Sequence, residues 1–323
     1  MTMTPVPFDP ALAAILDAMP MYTERPTVAD IPAQRAQGDL PMPSLDDVIG
    51  DRAIDHEDRA IPGPAGAPDV VVTVIRPRGA VSGAPCLVNF HGGGTIYGNR
   101  HMDNGRLVPL VEEFGAVAIN VEYRLAPEHP SPAPVEDCYA ALVWASANAD
   151  ELGIDPGRIV VMGGSAGGLL AAGVALLARD RRGPVLAGQL LICPMLDDTN
   201  TTPASHQYDG FSPWPRHMGI LAWSALLGEG AGDLSADVSI YSAPARAADV
   251  SGLAPAFVEA GSAELFRDED VTYASRIWAT GGQAELHIWG GGFHGFDMFA
   301  PDHELTRAAL AARSSWLRRI FGK

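Results

Sequence analysis

The sequence predicts an α/β protein with a mostly parallel central sheet flanked by helices. Three observations carry that expectation. Short apolar strands alternate with helical stretches along most of the 323 residues. One apolar strand runs straight into a Gly-x-Ser-x-Gly turn and then a helix, between Ile159 and Arg179. Another ends directly in His91-Gly92-Gly93-Gly94. With 47% hydrophobic and 19% charged residues, the chain has enough apolar material for a large core under an ordinary soluble surface.

In chain order, Asp9 can cap a short helix that runs to Met19 with Pro10 at its first position. Prolines at 20, 26, 32, 41 and 43 then limit regular structure. Strands are expected at Val70 to Ile75, Cys86 to Phe90, Ala116 to Val121, Ile159 to Met162, Ala187 to Cys193, Pro255 to Ala260 and Glu285 to Trp289. Helices are expected at Leu107 to Phe114, Val135 to Ala147, Ala166 to Arg179, Asp268 to Ala279 and Glu304 to Ile320. The alternation fails between Asp198 and Ala236. That stretch carries Tyr208, Phe211, Trp214, Met218 and Trp223 among prolines 203, 213 and 215. It reads as a helical insertion that covers the serine turn, with Phe211, Trp214 and Met218 as candidate substrate-pocket residues.

Val160-Val161-Met162-Gly163-Gly164-Ser165-Ala166-Gly167-Gly168 is the chemical centre of this reading. A tight turn between a buried strand and a helix lifts a serine hydroxyl above the sheet. Small residues at 163 and 167 let the two backbones approach. The helix start offers unpaired N–H groups to a developing oxyanion. Serine needs a base, and the base needs an orienting acid. His294, in Gly290-Gly291-Gly292-Phe293-His294-Gly295-Phe296 after the last strand, is the candidate base. The other eight histidines read as exposed loop residues. Two acids compete. Asp268, Glu269 and Asp270 form an acidic first helical turn, which the helix dipole accounts for. Glu264 lies among Ser262, Ala263, Leu265 and Phe266, where an unpaired carboxylate would be costly. Glu264 is therefore preferred to Asp268 as the partner of His294. Gly92, Gly93 and Gly94 expose backbone N–H groups and, with Ala166, are the candidate oxyanion donors. No GxxxxGK[ST], HExxH, paired CxxC or calcium-loop spacing is present, so neither a nucleotide loop nor a metal is expected.

HGGG, Tyr123-Arg124-Leu125-Ala126-Pro127-Glu128-His129-Pro130, GGSAGG, Phe266-Arg267-Asp268-Glu269 and His294-Gly295-Phe296 occur in this order. In combination the chain resembles the bacterial hormone-sensitive-lipase-like, or family IV, esterases of the α/β-hydrolase superfamily, from about Pro85 to Phe296. The resemblance implies an α/β-hydrolase fold with eight strands and a helical cap. The divisions it implies are residues 1–50 and 198–236 as cap, with 51–197 and 237–323 as the two parts of the core. It also implies cofactor-free hydrolysis of carboxylic esters. Its oxyanion donors would be Gly93, Gly94 and Ala166, and Arg124 and Glu128 would be scaffold. Two departures stand out. The family usually has Asp where this chain has Gly164. Its usual catalytic Asp aligns with Glu264.

The expected function is serine carboxylesterase activity on short- to medium-chain esters. A non-catalytic small-molecule binding protein and an acyltransferase on the same fold are the alternatives. The net charge of −17 argues against nucleic acid and anionic membranes as partners. The expected partner is a small ester, with a homodimer compatible with the resemblance. No secretory signal is evident near the N-terminus, and Cys86, Cys138 and Cys193 read as buried, reduced thiols. Both point to the cytoplasm.

Overall fold

The computed structural model describes residues 3–19, 24–38, 42–79 and 82–322. Pro20 and Pro41 lie outside them. Eight strands form one sheet: β1 (Ile54–Ile61), β2 (Val70–Pro77), β3 (Ala84–Phe90), β4 (Val117–Glu122), β5 (Ile154–Gly164), β6 (Gly188–Ile192), β7 (Ala256–Gly261) and β8 (Ala284–Trp289). Their spatial order is β1-β2-β4-β3-β5-β6-β7-β8. Every pairing from β4 to β8 is parallel, while β1 and β2 are antiparallel to each other and β2 to β4. This is the α/β-hydrolase architecture that the motifs imply.

All seven expected strands are present, with boundaries moved by a few residues. The eighth, β1, was not read from the sequence. Its segment Ile-Asp-His-Glu-Asp-Arg-Ala-Ile buries only its two end residues. It is an edge strand whose charged side chains face water, so it lacks an apolar run. The central strands are the opposite case. Every residue of β3 is buried, as expected for a parallel strand covered on both faces.

The helices are α1 (Pro10–Asp17), α2 (Ile31–Arg35), α3 (Leu45–Ile49), α4 (Asn104–Phe114), α5 (Ala133–Ala147), α6 (Ala149–Leu152), α7 (Ala166–Asp180), α8 (Pro203–Gln207), α9 (Arg216–Leu227), α10 (Arg267–Ala279), α11 (Phe296–Phe299) and α12 (Glu304–Phe321). Along β5, alternate residues face opposite layers. Ile159 and Val161 join a core with α5, α7, α9 and α10. Val160 and Met162 join a second core with α3, α4 and α12. Asp9 caps α1 as its sequence suggests, accepting from Ala11 N and Leu12 N. Leu12 and Leu16 then pack on Phe293 and Phe296, beside the candidate base. None of the helices of the described residues is long and apolar enough to cross a membrane.

The stretch from 198 to 236 is helical, as α8 and α9. A buried ion pair closes it: Arg246 donates from Nε and Nη2 to Asp198 at 2.8 and 2.6 Å. The N-terminal residues strap across it. Gln207 Nε2 and Tyr208 Oη donate to the carbonyls of Thr4 and Val6, both at 2.8 Å. The Phe8 ring meets Tyr208 and Phe211. Leu45 and Ile49 sit elsewhere, in the core with α4.

The acidic first turn of α10 does more than complement a helix dipole. Asp268 is directed at the insertion, accepting from Ala204 N at 2.8 Å and from Arg267 Nε at 2.7 Å. Glu269 and Asp270 are buried. Neither oxygen of Asp270 has a partner among the described residues. Burial first, then the negative charge of Glu264 and Glu269, pushes the Asp270 carboxyl well above its usual range. A carboxyl raised in the folded state lends stability below its unfolded value of 3.8 and loses it as pH climbs toward the folded value. Asp270→Asn keeps the shape without the proton. Its melting temperature should exceed the parent's by a few degrees at pH 8 and by less at pH 5, at roughly 2 °C per kcal/mol relieved. A uniform loss of melting temperature at both pH values would contradict this.

Candidate active site

The carboxyl ends of five strands converge on one place. Strand β3 leads to His91-Gly92-Gly93-Gly94, β5 to Ser165, β6 to Cys193, β7 to Glu264 and β8 to His294. Ser165 has φ 57° and ψ −120°, a strained conformation for a residue with a side chain. Its N–H donates to Ile192 O at 2.8 Å and its carbonyl accepts from Met195 N at 3.1 Å, which pins the turn to the end of β6. Space explains the flanking glycines. A Cβ on Gly167 would stand 1.9 Å from Phe90 O, and one on Gly163 2.4 Å from the Gly167 backbone. The expected close approach of strand and helix is therefore present.

His294 sits between Ser165 and Glu264. Its Nε2 lies 3.0 Å from Ser165 Oγ and its Nδ1 2.5 Å from Glu264 Oε2. Both neighbours are satisfied when Nδ1 carries the proton toward the carboxylate and Nε2 accepts from the hydroxyl. Glu264 is fully buried, and its other oxygen accepts from Gly261 N at 3.0 Å. The Phe266 ring meets the imidazole edge-on at 5.2 Å. Of the two competing acids, Glu264 reaches the base, while Asp268 binds the start of α8.

The glycine run is held from behind. Tyr123 stacks on His91 with centroids 4.1 Å apart and donates from its hydroxyl to His91 O at 2.7 Å. His91 is fully buried, so this histidine is neither exposed nor in an open loop. His287 also departs from that reading, because it lies on β8 and is half-buried. Gly93 and Gly94 have φ of 102° and 64°, a region that favours glycine. Among the described residues no acceptor takes the N–H of Gly93, Gly94 or Ala166. Gly92 packs against the elbow, where an added Cβ would lie 3.2 Å from Gly164 O. Arg124 grips buried Asp137 with Nε and Nη2 at 2.8 and 2.7 Å, and Glu128 pairs with Arg35 of the N-terminal segment. Both fit the scaffold role.

The insertion roofs this site. A Cβ on Gly94 would meet the Trp214 ring at 2.6 Å, so the indole lies directly on the glycine loop. Met218 and Trp223 are fully buried within the same layer, whereas Phe211 is 49% exposed against Phe8. Leu265, next to Glu264, approaches Gly219 of α9.

Sequence reasoning missed the neighbours of the elbow. Cys193, with φ 39°, is buried with its thiol beside Glu264 and His294. Burial first, then the charge of Glu264, pushes that thiol well above its usual range. These three residues could place a sulfur, an oxygen and a nitrogen within 4.8 Å of one another. The carboxylate and imidazole are already closed on each other, and the thiol is held protonated. Arg106 and Asp297 were missed as well. A charge just before one apolar stretch, Leu107 to Leu110, and a charge inside another, Phe296 to Phe299, were the available signal. Cys86 and Cys138 are free and buried, as expected.

Residues 87–298 match the family described as alpha/beta hydrolase fold. The chain is 35% identical over 304 residues to carboxylesterase NlhH of Mycobacterium tuberculosis, covering 90% of this chain and 89% of that one. It is 36% identical over 249 residues to carboxylic ester hydrolase LipN of the same organism, covering 75% of this chain and 64% of the relative. Among solved structures, a bacterial heroin esterase superposes with a TM-score of 0.87 at 37% identity, covering 97% of this chain and 98% of that chain. The chain belongs to the α/β-hydrolase family, among its bacterial hormone-sensitive-lipase-like esterases.

Proposed function

We propose that the protein is a serine carboxylesterase acting on short- to medium-chain esters. The observation that carries this reading is the unbroken chain Ser165–His294–Glu264, with contacts of 3.0 and 2.5 Å, at the end of a strained strand-to-helix turn. Ser165 Oγ attacks the ester carbonyl while His294 Nε2 takes its proton. The carbonyl oxygen becomes an oxyanion facing the N–H groups of Gly93, Gly94 and Ala166. His294 then passes the proton to the departing alcohol. Water, deprotonated by the same imidazole, cleaves the acyl-enzyme and restores the serine. Glu264 keeps the ring in the required tautomer and stabilises the imidazolium. The names of the carboxylesterase relatives favour this reading over a binding protein without chemistry.

In this reading residues 198–236 and the N-terminal strap form a cap, and Trp214 and Met218 shape the acyl side of the pocket. Phe211 would contribute at its rim. Hydrolysis of p-nitrophenyl butyrate should be abolished in Ser165→Ala. Glu264→Gln should lower kcat by about 10³–10⁴ with the fold retained. Asp268→Asn should change activity little, since its partners are Ala204 and Arg267. An inactive Asp268 variant beside an active Glu264 variant would overturn the assignment.

Acyl length gives a separate check. The aromatic roof over Gly94 leaves a closed site better suited to a short chain. Across p-nitrophenyl esters, kcat/KM should fall from four-carbon to sixteen-carbon acyl groups. A rise over that series would contradict the closed-pocket reading.

A further inference from the structure

Behind the elbow runs a buried ionic chain that the steps above do not use. Arg106 donates from Nη1 to Asp103 at 2.6 Å, and from Nε and Nη2 to the two oxygens of Asp297 at 2.9 and 2.7 Å. Asp297 also holds Arg313 at 2.8 Å, and Arg313 reaches Glu259 at 2.5 Å. No side chain in this set is more than 11% exposed. Burial opposes the charge on Asp297, yet Arg106 and Arg313 together hold its carboxyl well below the usual carboxylate range.

The anchor points of Arg106 are what make it informative. Asp297 lies three residues beyond His294, at the start of α11. Asp103 accepts from Asn89 Nδ2 at 3.2 Å, and Asn89 is two residues before the HGGG run on β3. The third point is the elbow itself. A Cβ on Gly164 would stand 2.8 Å from Arg106 Nη1. The φ of Gly164 is not in the left-handed region, so conformation does not require glycine there. Space restricts it instead, because the guanidinium, pinned by Asp103 and Asp297, occupies the room a side chain would take. Here the chain departs from the Asp usual in the family at this position. The residue beside the nucleophile carries no carboxylate here, and an arginine from α4 lies in its place.

We propose that Arg106 is a positioning residue, whose guanidinium seats against Gly164 and fixes the His294 loop relative to Ser165 and the glycine run. The proposal rests on the carboxylesterase reading. A planar, two-pronged pair sets orientation as well as distance, which a single point charge does not. Arg106 touches no reacting atom. Its effect passes through Asp297 to the loop that carries His294, and through Gly164 to the residue that carries the hydroxyl.

The test is steady-state hydrolysis of p-nitrophenyl butyrate by the full chain and four variants. Arg106→Gln should lower kcat on the order of 10²-fold, the scale of a misplaced catalytic group, and leave KM within about twofold. Arg106→Lys, which keeps the charge and loses the fork, should fall between the parent and Arg106→Gln. Gly164→Ala adds one methyl group against the guanidinium and should lower kcat by about tenfold. In the Arg106→Gln background the same methyl group should cost almost nothing, because the shorter side chain has left. Folding is checked by circular dichroism and melting temperature. If Arg106→Gln does not fold, Gly164→Ala alone decides. A folded Arg106→Gln or Gly164→Ala with parental kcat would overturn the proposal. So would full multiplicativity in the double variant, or a rise in KM at unchanged kcat. A parent chain that hydrolyses no ester and is not labelled by a fluorophosphonate would remove the carboxylesterase reading, and this proposal with it.

Discussion

The crossing of β3, β5 and α7 at the elbow is the constraint on which the rest of the site depends. Phe90 O stands where Cβ atoms of Gly163 and Gly167 would fall, at 2.6 and 1.9 Å. Only because both positions lack side chains can the strand stop at Gly164 and the helix start at Ala166 with one residue between them. That residue, Ser165, takes a strained backbone conformation and is pushed above the sheet. The strain is offset locally by hydrogen bonds to the end of β6 and by the buried apolar strands on either side. The same crossing leaves the first N–H of α7 beside the glycine run. The candidate nucleophile and the candidate oxyanion donors thus come from one packing event.

The acids around this point fall into three physical situations. Glu264 is buried and paired with an imidazole and a backbone N–H. Asp297 is buried and clamped between two guanidinium groups, so its charge is secure. Asp270 is buried with neither, and its carboxyl is pushed well above its usual range. Burial is common to all three, so partners and not depth decide the charge. His294 thus faces the Glu264 carboxyl directly, while Asp297 is held between two guanidinium groups.

Much of this was legible in the sequence because it is local. The elbow, the glycine run and seven of the eight strands are each carried by contiguous residues, and each appears where expected. Glu264 was legible for a different reason, as a carboxyl among apolar neighbours that needed a partner. What the sequence hid is non-local or weakly patterned. Strand β1 faces water along most of its length and so shows no apolar run. The Arg106–Asp297 pair joins residues separated by 191 positions, which no spacing rule connects. Asp268 resembled a dipole-complementing acid, and its role became visible only when α8 was found over it. His91 read as a surface histidine until Tyr123 was found stacked on it.

The central claim is that His294 activates Ser165, and covalent labelling tests it most directly. The folded chain is treated with a fluorophosphonate, digested, and the modified peptide identified by mass spectrometry. One adduct on Ser165 is expected, formed much more slowly in His294→Ala and absent from the denatured chain. Labelling of another residue, or equal rates with and without the imidazole, would contradict the claim.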